Sequence, residues 1–134
     1  MSTPHELRTV ISVDDFESAL RFYRDIIGMP VVDEWDTEMG HGILLAAGTA
    51  TLEIFDRAQQ RSIDMLEAGR PVSGEVRLAI RVDDVDDTFH RAVVAGAPLM
   101  SHPIVAPWGD RIARLQTPHG MQLTLFGQVV APGR

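Results

Sequence analysis

The feature that most constrains this chain is an internal repeat. Three short segments recur in the same order: Val13-Asp14-Asp15 as Val82-Asp83-Asp84, Gly28-Met29-Pro30 as Gly96-Ala97-Pro98, and Thr51-Leu52-Glu53-Ile54-Phe55 as Gln122-Leu123-Thr124-Leu125-Phe126. The offsets between the copies are nearly constant, and a repeat of this kind fixes the architecture of a chain. The sequence therefore predicts one domain over 1–134, with a first module over about 5–57, a linker over about 58–73 and a second module over about 74–128.

Each module is predicted to be a strand, a helix and three further strands. Over 7–13 and over 77–82, alternate residues fall on two faces, with Ile11 and Val13 on one face of the first segment and Leu78, Ile80 and Val82 on one face of the second. This period of two is typical of half-buried strands. A helix follows each of these strands and ends at Gly28 or Gly96. The other expected strands lie near 30–36, 41–47, 50–56, 98–106, 110–117 and 121–127. The sequence thus predicts an α+β fold of two tandem βαβββ modules, whose curved sheet surrounds a central cavity, with one short helix near 63–66 in the linker.

Composition excludes several classes of function. The formal net charge is −7, which argues against a nucleic-acid partner. There is no cysteine, and therefore no disulfide, thiolate nucleophile or zinc–cysteine site. No run of 18 apolar residues or apolar signal segment occurs, so we expect no membrane partner and a cytoplasmic location. Glycine-rich phosphate loops and a G-x-S-x-G motif are also absent from the sequence.

The quoted motifs resemble a known family. Val13-Asp14-Asp15, Phe22-Tyr23, Gly28 and the strand containing Glu53 resemble the first half of vicinal oxygen chelate proteins, and 108–111 with 117–120 resemble the second half. That superfamily includes glyoxalase I, extradiol dioxygenases, fosfomycin-resistance transferases, methylmalonyl-CoA epimerase and bleomycin- and mitomycin-binding proteins. The resemblance implies the fold predicted above, a small-molecule ligand or substrate, and a homodimer. It does not specify the chemistry, because one fold hosts many functions.

The resemblance also implies four positions for metal ligands. In this chain they are held by Arg8, Glu53, Arg77 and Thr124. Arginine keeps its proton and offers no acceptor, so only Glu53 is suited to a divalent cation. We therefore expect a metal-free branch of the family with no cofactor.

Strand alternation turns Arg8, Glu53 and Arg77 into the same cavity. We expect one carboxylate between two guanidinium groups, with bidentate geometry available on either side and one net positive charge. Arg111 is expected to add a second cation near the mouth. Such a site suits an anionic or carbonyl-bearing ligand, although a purely structural role for the cluster stays equally open.

Further residues are candidates for lining the cavity. The resemblance to the drug-binding members implies that Trp35 and Trp108 stack on a planar ligand. The alternative for Trp108 is that it only fills one end of the sheet. Phe55 and Phe126 share inward alternation with Glu53 and Thr124 and are expected to form apolar walls. His41 is placed within reach of the cavity. A displaced metal site formed by His5, His41 and Glu53 is a further alternative.

These observations predict a protein that binds a small anionic or aromatic molecule in a metal-free cavity. One alternative is a metal-independent isomerase, epimerase or lyase on a small oxygenated metabolite, with Glu53 as catalytic acid or base. Another is a metal-dependent lyase or dioxygenase that uses the displaced site. Two neighbouring arginines are expected to lower the pKa of Glu53, and a weak base favours binding over catalysis.

Overall fold

A computed structural model describes residues 3–118 and 120–130, so His119 of the second-half motif lies outside the described residues. The predicted α+β fold of two βαβββ modules is confirmed. The first module contains β1 (Glu6–Val13), α1 (Phe16–Leu20, continued as a π-helix over Arg21–Ile26), β2 (Val31–Thr37), β3 (Gly40–Ala47) and β4 (Ala50–Asp56). A linker helix, α2 (Arg57–Ala68), precedes β5 (Val76–Arg81), α3 (Val85–Val94), β6 (Leu99–Val105), β7 (Arg111–Gln116) and β8 (Gln122–Gly127).

All eight strands form one sheet in the order β2-β3-β4-β1-β5-β8-β7-β6. The first strands of the two modules, β1 and β5, lie antiparallel at the centre, and each pairs in parallel with the last strand of its own module. The repeat therefore becomes an approximate twofold relation about the β1–β5 pair. Residues that match between modules come to lie close together at the centre of the sheet.

The two module helices cover one face of this sheet. Phe16 and Leu20 of α1 pack on Ile43, Leu45 and Ile54, while Val85 and Phe89 of α3 pack in the same way on the second module. Because successive side chains along a strand point to opposite faces, the strand residues that alternate with these lie on the other, concave face of the sheet. That side carries its own smaller apolar cluster, which includes Val10, Phe55 and Phe126.

The linker helix is longer than expected. It has 12 residues where the sequence suggested a short helix near 63–66, and it packs on the concave side of the sheet. Asp56 caps its first turn by accepting a hydrogen bond from the backbone of Gln59 (2.8 Å), and Gly69 ends it in the left-handed conformation (φ 72°). None of the described helices is long and apolar enough to cross a membrane.

Candidate functional site

The concave face holds a cavity of about 490 Å³. Its floor is formed by two rows of three residues, each crossing three adjacent strands: Glu53, Val10 and Arg77 in one row, and Thr124, Ala79 and Arg8 in the other. All of them except the buried Val10 line the cavity. The twofold relation exchanges the rows and therefore exchanges the two arginines. Strand alternation thus brings the four positions named by the family resemblance to the lining of one cavity.

The two arginines have different partners. Arg8 donates from Nε to Glu6 at 2.7 Å and from Nη1 to Glu53 at a longer 3.3 Å. Arg77 donates from Nη1 to Thr124 Oγ1 at 2.8 Å, which is its only hydrogen-bond partner among the described residues. The expected bidentate arrangement around Glu53 is therefore wrong. Glu6 takes the stronger contact with Arg8 because it lies two residues away on the same face of β1.

Burial controls the acidity of Glu53. Its side chain is almost entirely enclosed, and loss of hydration raises the pKa of Glu53 even though the charges of Arg77 and Arg8 act to lower it. Burial likewise lowers the pKa of Arg77, helped by the charge of nearby Arg114. The expectation that the arginines lower the pKa of Glu53 is therefore wrong. A carboxyl group with a raised pKa is better suited to proton transfer than the weak base expected from the sequence.

Aromatic side chains form much of the wall. Cζ of Arg8 lies 4.9 Å from the centre of the Phe126 ring, and Cζ of Arg77 lies 5.6 Å from that of Phe55, so each module supplies a ring to one guanidinium. Trp35 packs edge-to-face on Phe55 with ring centres 6.2 Å apart.

A glycine makes room for Trp35 in this wall. It is Gly42, because a Cβ there would lie 2.4 Å from the indole ring. Trp108 lies in the β6–β7 turn and also borders the cavity. Phe55, Trp35 and Trp108 are therefore all placed at the cavity, as are Thr124 and the two arginines.

The charge of the lining differs from the expected one. Of the described residues, two guanidinium groups and four carboxyl groups border the cavity, the carboxyl groups being those of Asp33, Glu53, Glu67 and Asp110. The expectation of a net positive pocket is therefore wrong. Besides Glu53 on β4, the carboxyl groups come from β2, α2 and the β6–β7 turn, and none of these three was expected from the sequence to line the cavity.

Three other predicted residues lie outside the cavity. Arg111 donates through Nε and Nη2 to Asp86 of α3, since it shares strand alternation with Ala113 and Leu115 on the helix-covered face. His41 stacks on Phe16 with ring centres 4.1 Å apart and bonds Glu34, again on the helix side. His5 pairs with Asp83 at 2.5 Å.

The displaced metal site is therefore not assembled. His5, His41 and Glu53 occupy three different surroundings, and no group of three His, Asp or Glu suited to a metal occurs in the described part of the chain. The position implied by the resemblance does not fit a metal either. Arg8 and Arg77 bring two guanidinium groups without an acceptor to places where ligands would have to donate electron pairs.

The sequence interpretation missed the contribution of the linker. Gln59, Ile63 and Glu67 recur at helical spacing on α2, and all three line the cavity. Glu67 accepts a hydrogen bond from Nε of Arg114 at 2.7 Å in a buried pair. The spacing of Gln59, Ile63 and Glu67 indicates one face of a helix. It does not indicate which face of the sheet this helix packs on.

Comparisons with known proteins agree with the geometry. The family model of the glyoxalase/bleomycin resistance protein/dioxygenase superfamily matches residues 7–125. The chain is 27% identical over 118 residues to the uncharacterized protein YraH of Bacillus subtilis (strain 168), covering 84% of this chain and 89% of YraH.

Solved structures show the same fold. The hypothetical protein BH1468 from Bacillus halodurans C-125 superposes with a TM-score of 0.72 at 13% identity, covering 99% of this chain and 100% of that one. Methylmalonyl-CoA epimerase from Mycobacterium tuberculosis superposes with a TM-score of 0.65 at 22% identity, covering 92% and 87%. With its paired modules, its central cavity and this family match, the chain belongs to the glyoxalase/bleomycin resistance protein/dioxygenase superfamily.

Proposed function

We propose that the protein binds a small, planar aromatic molecule in the concave cavity without a metal ion. The observation that carries this proposal is an aromatic wall above a floor in which arginines hold positions of metal ligands. The volume of about 490 Å³ falls within the usual range for small-molecule sites. Stacking on Trp35, Phe55 and Trp108 supplies affinity without requiring charge on the ligand.

The lining favours an uncharged ligand over an anionic one. The carboxyl groups around the cavity outnumber the guanidinium groups, so an added negative charge meets repulsion as well as attraction. A carbonyl oxygen, by contrast, can accept a hydrogen bond from an N–H of Arg77 without bringing a charge into a buried site. We therefore expect a neutral aromatic carbonyl compound to bind more tightly than the matching carboxylate.

Trp108→Leu tests this proposal. We expect the variant to bind 2-acetylnaphthalene roughly twofold to tenfold more weakly than the wild type, because a stacking surface is lost. Isothermal titration calorimetry measures the affinity without and then with EDTA, and 2-naphthoate is the anionic counterpart. Phe22→Leu is the matched control, since Phe22 is 49% exposed and Trp108 47%, but Phe22 does not border the cavity.

Two results would contradict the proposal. The first is a wild-type protein whose binding of 2-acetylnaphthalene disappears when EDTA is added, because the site would then depend on a metal. The second is a Trp108→Leu variant that binds as the wild type does, because the aromatic wall would then contribute nothing.

The raised pKa of Glu53 supports a second candidate function. In a metal-independent isomerase, epimerase or lyase, Glu53 would transfer a proton at carbon next to a carbonyl group, and Arg8 or Arg77 would stabilise the negative charge on the oxygen. The fold likeness to methylmalonyl-CoA epimerase is compatible with this reading. Glu53→Gln separates the two candidates: an enzyme loses turnover while the variant still binds, whereas a binding protein shows no turnover in either form.

The oligomeric state, the absence of nucleic-acid partners and the cellular location remain predictions. We infer a homodimer from the apolar side chains exposed near the ends of the sheet, among them Val32 and Leu99. The absence of nucleic-acid partners rests on the acidic composition, and the cytoplasmic location rests on the sequence alone.

A further inference from the structure

The first turn of α2 directs a glutamine into the cavity. Asp56 and Gln59 stand three residues apart at the helix start, the spacing of a capping box, in which the second side chain bonds back to the backbone of the first. Here only half of that motif forms. Asp56 accepts a hydrogen bond from the backbone of Gln59, while the amide of Gln59 forms none with any described residue.

The amide of Gln59 is buried as well as unpaired. The residue is 4% exposed, it borders the cavity, and its Oε1 has no hydrogen-bond partner in the described part of the chain. Leaving a buried polar group without a partner is unfavourable, and almost all such groups in native structures have a hydrogen-bond partner. The neighbouring Gln60 shows the ordinary case, since its Nε2 donates to the carbonyl groups of Ser73 and Gly74.

The backbone that carries Gln59 is fixed in place. A Cβ on Gly40 would lie 2.2 Å from the backbone nitrogen of Gln59, so the β2–β3 turn and the first turn of α2 are in close contact. The hydroxyl of Ser62 donates to the carbonyl of Met39 at 2.7 Å, which joins the same two elements again. The amide therefore cannot leave the cavity by a shift of the helix without breaking this packing.

We propose that Gln59 is a specificity-determining residue whose amide oxygen accepts a hydrogen bond from a hydroxyl group of the ligand. The inference rests on the proposed function and narrows it: the ligand is a planar aromatic molecule that carries a hydroxyl group in addition to its carbonyl. The carbonyl is held by Arg77 on the floor, and the hydroxyl is held by α2. A molecule without the hydroxyl leaves the glutamine oxygen unpaired and binds less tightly.

The substitution Gln59→Met tests this inference because it removes the amide and keeps the length of the side chain. The probes are 6-acetyl-2-naphthol and 2-acetylnaphthalene, which differ only in the hydroxyl group. We expect the wild type to prefer the naphthol roughly threefold to tenfold, and we expect Gln59→Met to abolish that preference. Calorimetry gives the affinities, and urea unfolding without any probe gives the stability.

Gln60→Met is the matched control. It lies next in sequence on the same helix, but its amide is already paired, and it does not border the cavity. We expect it to unfold at a lower urea concentration and to keep the preference for the naphthol. Gln59→Met is expected to unfold at the same urea concentration as the wild type or at a higher one, because it removes an unpaired buried group.

The results distinguish the inference from the function on which it rests. A wild type that binds both probes equally overturns the role of Gln59 and leaves the proposed function standing. A Gln59→Met variant that loses stability without a probe and keeps the preference also overturns it, because the residue is then structural. A wild type that binds neither probe overturns both the proposed function and the inference.

Discussion

At the level of single residues, the pKa of Glu53 depends on two opposing effects. Arg77 and Arg8 favour its carboxylate through their charges, while removal from water favours the neutral acid. Loss of hydration is the larger effect because the residue lies on a floor covered by α2 and by aromatic rings. The contacts of Glu53 agree with a dominant effect of burial. Its hydrogen bond from Arg8 is long, at 3.3 Å, and the described contacts include none from Arg77.

The substitution Glu53→Gln tests the direction of this pKa shift through the pH dependence of stability. A pKa raised above the ordinary 4.5 means that the folded chain keeps the proton of Glu53 to a higher pH than the unfolded chain does. The stability that Glu53 contributes is therefore complete below about pH 4.5 and is lost as pH rises through the folded-state pKa. We expect the wild type to lose stability relative to Glu53→Gln over that window, by about 1.4 kcal/mol for each unit of pKa shift.

Urea unfolding at a series of pH values measures the difference between the two chains. The other titrating groups are common to both chains, so the difference isolates Glu53 and its neighbours. Glu17→Gln, an exposed residue on α1, is the control and should follow the wild-type curve. A wild type that gains stability relative to Glu53→Gln as pH rises would mean that the arginines, and not burial, set the acidity.

At the scale of elements, helix α2 is held to the sheet by buried charge. Arg114 of β7 is completely enclosed and contacts Asp64 at 3.2 Å and Glu67 at 2.6 Å, both on α2. The enclosure of Asp64 disfavours its charged form, but hydrogen bonds from Ser73 and Val72 and the charge of Arg114 lower its pKa overall. This network places Glu67, and with it one side of the helix, over the cavity.

Removing the arginine from this network is expected to destabilise the fold strongly. Arg114→Met leaves the carboxyl groups of Asp64 and Glu67 buried without their cation, and the expected loss is about 3–5 kcal/mol in the free energy of unfolding. Arg111→Met is a control on the same strand, because Arg111 forms a partly exposed pair with Asp86 that is worth at most about 1 kcal/mol. Equal losses in urea unfolding for the two variants would contradict a special role for the buried network.

At the scale of the whole molecule, the sheet has two open edges. Strands β2 and β6 lie at its ends, and each lacks a partner on one side within the described chain. Exposed apolar side chains lie near both edges, including Ile26 and Val32 in the first module and Val94 and Leu99 in the second. Open edges beside apolar surface favour association, which is the physical basis for the proposed homodimer.

The dimer predicts a particle of about twice 14.8 kDa in size-exclusion chromatography with light scattering. Val32→Glu is expected to shift the protein toward the monomer, since a carboxylate at the β2 edge opposes apolar contact. Leu7→Glu is the control, because Leu7 is comparably exposed but lies on the central strand β1. A wild type that elutes at the monomer mass would contradict the dimer.

Local sequence patterns predict the two modules and their strands and, together with the family resemblance, the residues on the cavity floor. These follow from local rules, because the repeat sets the order of elements and strand alternation decides which side chains share a face. That is why Arg8, Glu53, Arg77, Thr124 and Phe55 were expected on one concave face, and all of them line the cavity. Trp35 was expected there from the family resemblance and not from strand alternation. The same rule also places Arg111 and His41 on the opposite face, with Ala113 and Ile43, so their positions were readable from the sequence.

What covers that floor depends on packing between segments that are distant in the sequence. The docking of α2 brings Gln59 and Glu67 to the cavity, and no local pattern in the linker shows which sheet face receives it. The acidity of Glu53 follows from the same docking, since burial depends on the whole surrounding shell, whereas neighbouring charges can be anticipated from strand pairing. The direction of side chains along a strand can therefore be predicted from the sequence, whereas the burial of Glu53 depends on packing between distant segments.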